Sequence, residues 1–148
     1  MEWRKMVTPV GALMIVATLA ACTSSQRGAQ APQGEPADFT AAQQAEVRDA
    51  QGRVVLRGTF AVNQEDDDDV ERKAPLTPTD VDPDATGEAE VEVSGSGNGR
   101  RQEVEFAVRN VQAGAVFTFL IDGKVFGTAT ADARGRAALE RDVPLPTP

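Results

Sequence analysis

The chain has 148 residues, 41% hydrophobic and 26% charged, with 15 basic against 23 acidic side chains and a formal net charge of −8. It holds no His, no Tyr, one Cys (Cys22) and one Trp (Trp3), which excludes a disulfide framework, Ser-His-Asp and Cys-His catalysis, and imidazole-based zinc, copper or haem sites. An acidic chain repels phosphate, so nucleic acid is disfavoured as a partner.

Met1-Glu2-Trp3-Arg4-Lys5 carries a small positive excess, and the next stretch, Met6 to Leu19, is apolar apart from Thr8, Pro9, Gly11 and Thr18. A charged start followed by an apolar run is the layout of a secretory signal peptide. About 14 residues rise only ~21 Å as a helix against a hydrocarbon core of roughly 30 Å, so export and removal are expected in place of a permanent span. The run closes on Leu19-Ala20-Ala21-Cys22, which resembles the lipobox of bacterial lipoproteins: a branched apolar residue, two small ones, and a cysteine whose thiol takes up a diacylglyceryl group. The resemblance implies cleavage between Ala21 and Cys22, lipid on Cys22 and on the new amino terminus, and a stable membrane anchor. Thr23 stands where an Asp marks inner-membrane retention in some lipoproteins, so the resemblance implies the outer membrane in preference to the inner one.

Removal of residues 1–21 takes Glu2, Trp3, Arg4, Lys5 and all three methionines with it, leaving a formal charge near −9. With Cys22 lipidated, the mature chain keeps no soft metal ligand and no Trp or Tyr platform for stacking sugars or bases.

Residues 22–38 read as the lipidated cysteine and a tether of small polar residues with scattered Gly and Pro. As a flexible coil, about 16 such residues separate their ends by roughly 20–25 Å. The domain is expected over 39–143, with an extended Pro-rich tail at 144–148.

Period-two alternation then takes over. Val54, Leu56, Phe60 and Val62 fall on one parity, with Arg57 and Thr59 on the other. Ala89, Val91 and Val93 alternate with Glu88, Glu90 and Glu92, and Val104, Phe106 and Val108 alternate with Glu103, Glu105 and Arg109. Such repeats predict half-buried antiparallel strands at about 40–49, 53–63, 87–94, 101–110, 115–121, 124–131 and 135–142. Asp122-Gly123 between two apolar runs predicts a tight hairpin. The form Asp-Ala-x-Gly-charged recurs at Asp49, Asp84 and Asp132 and predicts three turns, with each Asp accepting from a backbone amide and each Gly in the left-handed region. The six Phe residues, 39, 60, 106, 117, 119 and 126, are the expected core anchors. The fold class that follows is all-β: a single antiparallel β-sandwich or open barrel of about seven strands.

The connection 64–87 is expected to be a long acidic loop, opening with Glu65-Asp66-Asp67-Asp68-Asp69. Asp80, Asp82 and Asp84 stand at positions 1, 3 and 5 of a possible calcium loop, although Ala85 takes the place of the turn Gly and Val91 that of the bidentate Glu. Glu88, Glu90, Glu92, Glu103 and Glu105 are expected on the wet faces of strands, with Arg100, Arg101 and Arg109 as available partners. A carboxylate pair drawn from them is the minimum a glycoside hydrolase would need. The first reading is a lipid-anchored, non-catalytic module with a structural or protein-binding role in the cell envelope, and no residue pattern identifies a small-molecule substrate. The alternatives are a calcium-responsive domain using 65–84 and a carboxylate hydrolase.

Overall fold

The computed structural model describes residues 37–65 and 69–145. The signal segment, Ala21, Cys22, most of the tether, Asp66, Asp67, Asp68 and the last three tail residues lie outside the described residues. Among the described residues nine strands follow in order: β1 Gln44–Arg48, β2 Val54–Thr59, β3 Ala61–Glu65, β4 Val70–Pro78, β5 Thr86–Ser94, β6 Arg101–Arg109, β7 Val116–Ile121, β8 Lys124–Thr130 and β9 Arg136–Val143. A single 3-10 turn, Gly97–Gly99, is the one helical element among the described residues. All pairings are antiparallel, in the order β8-β7-β1-β2-β4-β5-β6-β9, with β3 added to β4.

The all-β class expected from alternation is the class observed. The connection 64–87 departs from expectation: it contains β4, which pairs with β5 along seven residues, and the predicted strand 53–63 divides into β2 and β3 at Phe60. β4 hides its period because Arg72 occupies an inward register position, beside the buried Ala74 and Leu76, and because Pro75 and Pro78 interrupt a strand-like composition. A proline lacks the donor that a ladder needs. Pro75 lies between the stretch of β4 paired with β2 and the stretch paired with β3, where that ladder is interrupted.

The parity read for β2 also shifts. Val47 pairs with Leu56 and Arg48 with Val54, which leaves Val55 as an extra residue, a β-bulge. Val55 is therefore buried beside Leu56, Val54 is half-buried, and Val62, beyond the break at Phe60, is 47% exposed.

The interior is built where the alternation put it: Ala45 and Val47 from β1, Ala89, Val91 and Val93 from β5, Val104, Phe106 and Val108 from β6, Phe117 and Phe119 from β7. Phe106 meets Phe119 at 5.0 Å between ring centroids and Phe126 at 6.0 Å, so β6 touches β7 and β8 across the core. The two ends of the strand order, β8 and β9, are thereby brought together, and the sheet curls into a nearly closed barrel. Their junction carries no ladder among the described residues. Arg141 of β9 donates from Nη1 to the Phe126 carbonyl of β8 at 3.2 Å and lies 5.6 Å from the Phe126 ring centre. Leu139 packs where a Cβ on Gly127 would stand, 2.6 Å from its Cδ2, so the absence of a side chain at 127 admits β9.

Candidate functional site

Of the three Asp-Ala-x-Gly segments, two form the same turn. Asp49 Oδ1 accepts from the amides of Gln51 (3.0 Å) and Arg53 (2.9 Å), with Gly52 at φ 78°. Asp132 Oδ1 accepts from Arg134 (2.8 Å) and Arg136 (3.0 Å), with Gly135 at φ 70°. The Arg136 and Arg134 amides hold the Asp132 carboxyl below the usual carboxylate range; at Asp49, bonds from Arg53 and Gln51 do so against an opposing loss of solvation. Asp84 departs from the pattern, since Gly87 lies within β5. A Cβ there would stand 2.9 Å from the Ala107 carbonyl oxygen and 3.2 Å from methyl groups of Leu56 and Leu76. Close packing, not a turn, requires that glycine.

The hairpin at Asp122-Gly123 forms as expected, with φ 49° and 76°. It has a second role invisible in the local sequence: Asp122 Oδ1 accepts from the amides of Gln43 (3.0 Å) and Gln44 (2.8 Å), docking the turn on the start of β1.

Asp80, Asp82 and Asp84 lie in the two turns that join β4 to β5, with Asp80 and Asp84 exposed and Asp82 half-buried. The Asp82 carbonyl accepts from the Ala85 amide at 3.2 Å. Among the described residues no three acidic side chains converge as a metal-binding group, these three included. Of the acidic run, Asp69 accepts from the Gly95 amide at 3.1 Å, joining the start of β4 to the end of β5.

The strand acids form the most distinctive surface. Register aligns two rows across four strands on the outer face: Lys73, Glu90, Glu105 and Glu140 in one, Glu71, Glu92, Glu103 and Asp142 in the next. Seven carboxylates and one ammonium thus occupy eight neighbouring positions. Directly opposed side chains in such a sheet have Cβ atoms about 4.5–5.5 Å apart, where like charges are destabilising. The expected arginine partners are not used: among the described residues the only cation paired with these acids is Lys73, whose Nζ lies 2.7 Å from Glu71 Oε1 and 3.4 Å from Glu90 Oε2. Arg109 stands instead opposite Thr86 and Arg136, and Arg101 opposite Ser94.

The electrostatic consequence differs across the face. Hydrogen bonding from Lys73 holds the Glu71 carboxyl below its ordinary value. Glu90, which loses water and sits farther from the ammonium, is pushed up. Glu103 is pushed up by lost solvation and then by repulsion from Glu140, Asp142, Glu92 and Glu105. Glu90–Glu105 and Glu92–Glu103 are facing carboxylate pairs, but they stand on the outer side of the sheet, opposite the core.

Sequence reasoning missed Gln102. It is 1% exposed, the one buried polar side chain among the described residues. Its Oε1 accepts from the Phe39 amide at 2.7 Å and its Nε2 donates to the Ala37 carbonyl at 2.9 Å. The clue lay in its parity: Gln102 continues the inward series Val104, Phe106 and Val108, where an amide needs a buried partner. The chain is therefore engaged by the barrel from Ala37, two residues before the expected domain start. At the other end, Leu145 packs against the core. No protein-family model, characterised protein or solved structure matches this chain.

Proposed function

We propose that the chain is an exported lipoprotein, anchored through Cys22, that holds a non-catalytic β-barrel module in the cell envelope. Its acidic face, formed by β4, β5, β6 and β9, docks a cationic surface of another envelope protein. The observation that carries this reading is the register of seven carboxylates against one ammonium across four strands. A surface serving solubility alone mixes signs and avoids cross-strand repulsion. A sheet that concentrates one sign carries a cost in folding that a partner of opposite sign relieves, with faster encounter as a further gain. Anchoring rests on the N-terminal segment: two or three acyl chains hold far more firmly than one. The residue after the cysteine, Thr23, favours the outer membrane.

The test compares full-length protein with a variant carrying Glu92→Gln, Glu103→Gln, Glu105→Gln and Glu140→Gln, each used to recover partners from solubilised envelope at low salt. A basic protein recovered by the parent chain and lost both with the variant and at high salt supports docking. Equal recovery by the two chains, or none by either, overturns it. Incorporation of labelled palmitate, abolished by Cys22→Ser, checks the anchor independently.

A further inference from the structure

Residues Ala37 to Gln43 cross one end of the barrel before β1 begins. Every element that meets them there contributes from that same end: Gln102 is the second residue of β6, paired with Val93 and Val143 at the ends of β5 and β9, Arg72 lies near the start of β4, and Asp122 turns β7 into β8. The hold is mostly on backbone. Gln102 takes the Ala37 carbonyl and the Phe39 amide, Arg72 donates from Nε to the Thr40 carbonyl, and Asp122 accepts from the Gln43 amide. Its side-chain anchors are Ala42, buried in the core, and Phe39, edge-on to Phe126 of β8 with ring centroids 6.0 Å apart.

These contacts fall on both sides of the β8–β9 junction, the one place in the strand order without a ladder among the described residues. Phe126 belongs to β8, and Gln102 is paired with Val143 of β9. Across the junction itself there is the Arg141 bond to the Phe126 carbonyl and the packing of Leu139 on Gly127. Such a seam opens more readily than a hydrogen-bonded ladder, because local opening free energies follow the interactions that must break.

We propose that Ala37–Gln43 is a strap that holds the β8–β9 seam shut, and that the barrel opens at this seam when the strap lets go. Ala37–Gln43 is the covalent link between the chain upstream and β1, so a pull on that chain is transmitted to the barrel through the strap. The seam is thereby coupled to whatever engages the N-terminal region.

Hydrogen exchange read by mass spectrometry on the full chain tests this. Gln102→Leu keeps the volume and removes both amide bonds to the strap. Amides of β8 and β9 should then exchange roughly tenfold faster or more, the factor expected from losing about two net hydrogen bonds, while those of β5 keep their rate. Phe39→Ala, which acts through the ring and spares the amide, should give the same pattern and carries the test alone if the first variant does not fold. Acceleration confined to residues 37–43, or spread evenly over all strands, overturns the proposal.

Discussion

Glu103 and Asp132 are both carboxylates at strand positions or strand entries, yet their surroundings drive them in opposite directions. Asp132 is surrounded by donors, so its folded-state value lies below the ordinary 3.8. Its contribution is present above that value and is lost as pH falls through the folded one. Glu103 loses water and faces four other acids, so its folded-state value lies above the ordinary 4.5. The folded chain then binds its proton more tightly than the unfolded chain, and stability declines as pH rises from 4.5 through the folded value. Glu103→Gln should accordingly raise the melting temperature at pH 7, and the gain should vanish when the melts are repeated near pH 3. A variant that melts lower than the parent at pH 7 would contradict the repulsion. Asp132 was readable from its motif, since the donors are its own near neighbours. The state of Glu103 was not, because it depends on which acids β5 and β9 place beside it.

Among the elements, those whose two faces differ in polarity were the legible ones. In β5 and β6 every inward residue from Ala89 to Val93 and from Val104 to Val108 is apolar and the opposing face is mostly acidic, so period two alone locates them. β4 carries Arg72 inward and prolines at 75 and 78, and its partners come from both β2–β3 and β5, so its pairing is a tertiary fact. The same dependence separates Gly87 from Gly52 and Gly135: an identical local motif ends in a strand because Ala107, Leu56 and Leu76 close over it. Gly87→Ala should cost about 1–3 kcal/mol, the range for overpacking a filled site, seen as a lower denaturant midpoint at unchanged slope. An unchanged midpoint would mean that β6 yields without cost.

At the scale of the molecule, charge is the quantity the strands organise. The net −8 is not spread evenly: seven acids share one sheet face with Lys73, while Arg109 and Arg136 face each other near the opposite end of β6. Composition showed the excess, but only the register of four strands shows where it gathers. Acids on adjacent strands lie too close for salt to separate, whereas those two strands apart are about 10 Å from each other. That distance falls inside the screening length of roughly 30 Å at 0.01 M salt and outside the roughly 8 Å found at 0.15 M. Added sodium chloride should therefore raise the melting temperature of the parent chain by a few degrees across this range. In the variant with Glu92, Glu103, Glu105 and Glu140 changed to Gln, the starting temperature should be higher and the dependence on salt largely lost. An equal salt response in the two chains would place the repulsion elsewhere and remove the electrostatic reason for assigning this face to a cationic partner.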